Sequence, residues 1–471
     1  MEHIQQLLLP IVRTVNAYLA DYVLIALLVG AGLFFSLKTR FVQIRCFGSG
    51  LKQFLGGVNL FGGKQHGGMS SFQALATAIA GQVGTGNIVG ASGAILVGGP
   101  GAIFWMWILA FLGMATIYAE AVLAQETRVT DANGTIHGGP VYYIRKAYSG
   151  KFGKALAVFF SVAIVIALGF MGCMLQSNSI AQACNTAFGL PGWVVGLFLA
   201  VVSAFIFLGG VDRLASVTEK IVPIMAAMFL VGGTIVLCIR IRYIPETIGM
   251  IIKYAFMPEA IIGGGVGYAL KIAISQGAKR GLFSNEAGMG STPHAHAQAN
   301  VKCPHDQGIV AMIGVFIDTF VFLTMTALVV ISCLYAGNGP MVSGTGALIT
   351  NTSAMPTAFA TALSVVFNAE TSAAIGNIFV AVCLLFFAYS TVLSWNFFGK
   401  INILYLFRGS KTAGVVYSCI AIGFLFVGTL LSNDLVWELT DFLNYLMVLP
   451  NVLALIPLAG IVAKAAGVKK D

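Results

Sequence analysis

Two stretches of this sequence carry residue types that could hold small ions in an apolar setting. The first, Gly81-Gln82-Val83-Gly84-Thr85-Gly86-Asn87, is a polar, glycine-rich string between apolar flanks. The second, Phe387-Ala388-Tyr389-Ser390-Thr391-Val392-Leu393-Ser394-Trp395, sets two hydroxyls side by side, with an indole one turn beyond Thr391. If the first string interrupts a helix, the half ending near Gly81 offers free carbonyls, which suit a hard cation. The half starting near Thr85 or Gly86 offers free N–H groups and the positive end of its dipole, which suit a carboxylate. Each such dipole contact contributes roughly 0.3–1 kcal/mol, and up to about 2 in a partly buried site. Ser390 and Thr391 would add hydroxyl oxygens to a cation cage. Two plainer explanations compete: glycine in apolar helices permits close packing, and Ser or Thr bonds back to its own helix.

The elements that must position these strings are membrane helices. Of 471 residues, 58% are hydrophobic and only 9% charged, against about a quarter charged in an ordinary soluble domain. Apolar runs of about 20 residues, enough to cross the roughly 30 Å hydrocarbon core, recur along the chain. Eleven spans are expected, near 22–37, 71–98, 101–127, 155–184, 192–211, 214–239, 260–284, 307–335, 371–399, 411–431 and 435–464. Residues 1 to about 20 are mildly amphipathic and are expected on the membrane surface, and 245–258 and 354–367 read as interfacial helices. The first apolar run, Tyr22 to Leu37, has neither a basic prefix nor a small-residue cleavage site, so it reads as a retained helix.

Basic residues orient the chain. Of 26 Lys and Arg, 21 fall in or beside loops that are internal if the N-terminus is outside, and four fall outside. That split predicts an external N-terminus and a cytoplasmic C-terminus. The net charge of +9 is therefore an orientation signal and not a nucleic-acid footprint. The eight cysteines show no CxxC spacing, so neither a disulfide framework nor a transition-metal site is expected.

Residues 1–70 then hold the amphipathic segment, one span and a basic loop; 71–239 and 260–464 hold five spans each; 465–471 form a tail. An odd number of spans inverts the second set relative to the first. The leading helix of each set carries glycine breaks, GQVGTGN in one and Gly263-Gly264-Gly265 with Ser275-Gln276-Gly277 in the other. Such matched breaks point to a transporter site near the bilayer midplane. A channel would need a polar stripe or charge ring, and no enzyme motif of the HExxH, nucleophile–base or Walker kind appears.

Four strings carry a family resemblance: Gly84-Thr85-Gly86-Asn87; Gly98-Gly99-Pro100-Gly101-Ala102; Gly138-Gly139-Pro140 followed by Tyr142-Tyr143; and Phe283-Ser284-Asn285-Glu286-Ala287-Gly288-Met289-Gly290-Ser291. Across nearly its whole length the chain resembles the alanine or glycine:cation symporters, also called sodium:alanine symporters. The resemblance implies an all-α, LeuT-type 5+5 inverted repeat preceded by one extra helix, in a cell inner membrane. It implies uptake of a small neutral amino acid with Na⁺ by alternating access, with no other cofactor; the oligomeric state is left open. Proton coupling, or a preference for glutamine or serine, are the alternatives.

By the same resemblance, Thr85, Gly86, Asn87, Gln176 and Trp395 contact the amino acid. The Gly81, Val83 and Phe387 carbonyls with the Ser390 and Thr391 hydroxyls would hold Na⁺. One departure stands out: relatives carry a neutral residue and then glutamine on the seventh span, where this chain has Lys271 and Ile272. A lysine within a span is costly; either it reaches water in the outer vestibule or it modulates ion coupling. Glu286, next to Lys279 and Arg280, is expected to form an internal ion-pair gate. Glu120 and Asp318 lie within spans, as hydrogen-bonded structural groups or a proton relay. His294 and His296 are expected to be solvated in an internal loop.

Overall fold

The computed structural model describes residues 2–57, 68–131, 134–257, 266–337, 339–343, 345–431 and 433–468. Its elements are helical except for a two-residue antiparallel pairing of Val129–Thr130 with Ile136–His137. The helices that bear on the site are α1 (Leu9–Lys38), α2 (Ser71–Gln82), α3 (Gly86–Gly98), α4 (Ala102–Thr127), α5 (Gly150–Phe188), α6 (Gly192–Phe207) and α7 (Gly210–Ile239). The chain continues through α8 (Val266–Asn285), α9 (Pro293–Ala297), α10 (Pro304–Leu334), α11 (Ala354–Leu363), α12 (Ala369–Leu406), α13 (Lys411–Gly428) and α14 (Val436–Ala465).

Eight of these, α1, α4, α5, α7, α10, α12, α13 and α14, are long and apolar enough to cross a bilayer. The other expected spans correspond to the split α2–α3 segment, the 16-residue α6 and the charge-bearing 20-residue α8. Near the N-terminus α1 is helical from Leu9 into the first span, with a wide π-type turn over Leu19–Leu24, and packs against α14. The helices Ile244–Phe256 and Ala354–Leu363 are both present.

Helices α4 and α12 are buried along most of their length, whereas α7 and α13 bury only one face. Around α12 lie α2, α5, α7 and α11; around α4 lie α1, α8 and α10. The site lies where these two groups meet.

Helix α2 starts on a capping box, Ser70 with Gln73, and stops at Gln82. Val83 is extended, and α3 begins with a wide π-type turn over Gly86–Gly90. Similar wide turns occur at Val165–Gly172 in α5 and Ile317–Leu323 in α10; such turns gather at functional sites. The expected break at Ser275-Gln276-Gly277 is absent, because α8 is continuous there. Gly277 has a packing role: a Cβ on it would come within 2.7 Å of Trp105 Cβ on α4. Gly263–Gly265 lie outside the described residues. The second unwinding comes later, after Asn285, where φ is 56° at Glu286, 91° at Gly288 and 78° at Gly290.

Candidate functional site

Unwinding α2 at Val83 frees carbonyls, and their surroundings explain why they stay free. Gly84 N would normally bond to the Ala80 carbonyl; it donates instead to Asn87 Oδ1 at 3.0 Å. The Ala80 carbonyl thereby faces Thr391 Oγ1 at 2.9 Å, with Val83 O at 3.5 Å and Phe387 O at 3.1 Å from the same hydroxyl. One hydroxyl proton can satisfy only one of three acceptors. The Ser390 hydroxyl, 2.8 Å from Phe387 O, adds a further oxygen. An excess of inward-facing oxygens is what a hard cation selects. The structure thus brings Val83, Phe387, Ser390 and Thr391 together, and it sets Ala80, one residue before Gly81, against Thr391. A Cβ on Gly81 would face Phe398 and Glu286.

The other face of the break is the candidate carboxylate site. Thr85 N donates to Gln176 Oε1 at 3.2 Å. Thr85 Oγ1 and Gln176 Nε2 are buried and have no partner among the described residues. Buried polar atoms are almost always hydrogen-bonded, so this adjoining pair is poised for a polar ligand. Gly86 packs on Phe283 and Ser284 of α8. Aromatic rings wall the region: Phe283 lies edge-on to Trp395 at 5.8 Å and tilted against Trp437 at 5.1 Å.

Asn87 is tied elsewhere. Its Nδ2 donates to Asp318 Oδ1 at 2.6 Å, so it braces the break and not a ligand. Asp318 also accepts from Ser284 Oγ at 3.0 and 2.9 Å and from Thr319 Oγ1 at 2.9 Å. One buried carboxylate therefore joins α3, α8 and α10. Glu120 does the same for the second unwound stretch. It accepts Gly288 N at 3.2 Å, Gly290 N at 3.0 Å and Asn451 Nδ2 at 2.5 Å. The hydrogen-bonded reading of both acids holds.

Three expectations are corrected. Glu286 forms no gate with Lys279 and Arg280; it is fully buried and accepts from Trp395 Nε1 and Ser291 Oγ. Lys279 and Arg280 lie within α8, not in an internal loop, and pair with Asp21 of α1 at 3.7 Å and Asp441 of α14 at 3.1 Å. His294 and His296 are not solvated: both are buried, and burial pushes them down, to about 4 and about 3. His294 stacks between Phe160 and Phe398 and bonds Ser291 O and Asn402. Buried side chains below the second break were hidden because a polar, glycine-rich string reads as an exposed loop.

Two expected outcomes follow from these contacts. The two histidines are neutral when folded and take up protons on unfolding below about pH 6.5, so acid favours the unfolded state. The midpoint of thermal unfolding should fall between about pH 7 and about pH 5, and His294→Gln should flatten that slope. Lys271 is ion-paired with Asp21 at 3.0 Å, with its side chain 47% exposed, and lies over the Tyr22 ring. Exposed pairs contribute little. Lys271→Met should therefore leave the half-saturation for amino acid and for Na⁺ within about twofold of wild type; a larger change in radiotracer uptake would give Lys271 a role in coupling.

Comparison with known proteins agrees with this architecture. The profile described as the sodium:alanine symporter family matches residues 5–468. The sodium/alanine symporter AgcS of Methanococcus maripaludis is 39% identical over 456 residues, covering 96% of this chain and 95% of that protein. The amino-acid carrier protein AlsT of Bacillus subtilis is 35% identical over 442 residues, covering 93% and 87%. Among solved structures, a manganese transporter of Eremococcus coleocola superposes with a TM-score of 0.53 at 15% identity, over 85% of this chain and 80% of that one. That likeness concerns the fold alone. Matched from one end to the other by the family profile and by relatives of similar length, this chain belongs to the sodium:alanine symporter family.

Proposed function

We propose that the protein is a secondary active symporter that imports a small neutral amino acid of the alanine or glycine type together with Na⁺. The observation that carries this reading is the convergence of the Ala80, Val83 and Phe387 carbonyls on Thr391, at the same break where Thr85 Oγ1 and Gln176 Nε2 are unpartnered. Cation and amino acid would then sit on opposite faces of one break, so that filling either face stabilises the same backbone conformation. Such shared stabilisation is a coupling free energy, and it is reciprocal.

In this reading Thr85, Gly86 and Gln176 bind the substrate, Asn87 fixes the break through Asp318, and Trp395 limits side-chain size. Val83, Phe387, Ser390 and Thr391, with Ala80, bind the ion. Glu286 holds Trp395 in place. The α2–α3, α6 and α8 segments complete eleven spans in two inverted sets of five after α1, with the N-terminus outside and the C-terminus in the cytoplasm. Alternating access then consists of the two sets rocking about the central breaks.

The ion assignment is tested by Thr391→Val, which removes one oxygen at nearly constant volume. A hydrogen-bond or ion contact of this kind contributes roughly 1.5–3 kcal/mol, so the Na⁺ concentration for half-maximal uptake should rise about tenfold or more. Unchanged Na⁺ dependence would place the ion elsewhere.

A further inference from the structure

A cavity of about 370 Å³ opens between α5, α11 and α12, beside the turns that begin α6 and end α13. Its mouth is at Asn185 and Thr186, which are exposed, and its floor is at Val380, Ala381 and Leu384, which are buried. The position of that floor is informative. On α5, Gln176, Ser179 and Ala183 are spaced i, i+3, i+7, and the last two line the cavity. On α12, Asn377, Ala381 and Leu384 line it and continue at helical spacing through Ala388 to Thr391. Ser179 is one turn from Gln176, and Leu384 is two turns, about 10 Å, from Thr391. The cavity is thus stacked over the central site along the same two helix faces.

Its chemistry is selective. Amides and hydroxyls, such as Gln182, Thr357 and Asn377, line the walls, and none of the described lining residues carries a charge. A solute with net charge would leave water without a counter-charge, which is unfavourable. A small, net-neutral solute with both donors and acceptors meets partners of both kinds, and the volume lies in the range of small-ligand sites.

We propose that this cavity is a second binding site, which holds the incoming neutral amino acid before it descends along α5 and α12 to Gln176. The proposal rests on the reading of the central site as an amino-acid site. A net-neutral solute brings no charge that an ion must balance, so occupancy should not require Na⁺.

The test uses full-length Ala183→Cys in proteoliposomes, with a bulky thiol reagent added outside. Wild type treated in parallel controls for the exposed Cys238, Cys303 and Cys419. Reaction should cut the rate of Na⁺-driven alanine uptake about tenfold or more relative to the same sample before treatment, because the passage is filled. Alanine without Na⁺ should slow the reaction at least about threefold, as expected near twice its dissociation constant. That protection should persist when Gln176→Ala weakens the central site. Absence of protection, or its loss with Gln176→Ala, overturns the second site while leaving the symporter reading intact. Failure of untreated wild type to take up any neutral amino acid overturns both.

Discussion

Gly84→Ala is expected to abolish sodium-driven amino-acid uptake while leaving the protein able to reach the membrane. A methyl group on Gly84 would lie far inside contact distance of Thr391 Oγ1, 3.2 Å from Thr391 Cβ and 3.3 Å from Gln176 Oε1. It would therefore strike the ion face and the substrate face of the break together. None of the three atoms is the free end of a flexible chain: Thr391 is β-branched and Gln176 is held by Thr85 N. Overpacking of this kind costs roughly 1–3 kcal/mol, which reduces stability without unfolding a protein of this size. Function should suffer much more, because a displacement of about 1 Å at a binding constellation lowers rates by about a hundredfold. Uptake near the wild-type rate, at equal protein per vesicle, would mean that Gly84 does not lie between the two ligand faces.

The second large effect is expected at Asp318. Asp318→Asn keeps the shape but replaces one acceptor oxygen with a donor amide. Both carboxylate oxygens are in use, with Asn87 and Ser284 on one and Ser284 and Thr319 on the other. With the amide nitrogen towards Asn87 a donor meets a donor in a buried setting; turned the other way it faces the Ser284 and Thr319 hydroxyls, which must give up donating here in order to accept. Hydrogen bonds to a charged acceptor contribute about 1.5–3 kcal/mol each, so thermal stability should drop clearly. Asn87 would be held only by a neutral acceptor or by the residue-318 backbone carbonyl at 3.3 Å, and its Oδ1 is what keeps Gly84 N away from Ala80. Uptake should fall by about a hundredfold or more. Asp318→Glu should not rescue it, since the cage of three donors leaves no room for another methylene. Normal transport by Asp318→Asn would show that the carboxylate is dispensable to the break.

The first break was legible because its pattern is local. A polar GQVGTGN string amid apolar flanks cannot stay helical without cost, and Val83 is where α2 ends. The register was not legible, since whether Gly81 or Ala80 presents its carbonyl depends on Asn87 Oδ1 capturing Gly84 N. The second break was misplaced for a different reason. Gly277 sits inside an apolar run and attracts attention, yet it serves α8–α4 packing; Gly288 and Gly290, beyond the run, carry the positive φ values. Long-range pairs were out of reach altogether. Asp21 meets Lys271 and Ser275 across some 250 positions of sequence, and Trp395 meets Glu286 across 109. Composition also concealed the fate of the polar residues after Asn285, because a short buried segment and a solvated loop use the same glycines, serines and histidines.

The central proposal is that sodium binds behind the α2–α3 break and a neutral amino acid in front of it. Uptake of labelled alanine into proteoliposomes, with a sodium gradient imposed inward and a panel of L- and D-amino acids as competitors, tests it most directly. Concentrative uptake is expected that collapses when the gradient is dissipated and that small neutral amino acids compete away. Uptake that is indifferent to sodium, or no uptake of any small neutral amino acid, would contradict it.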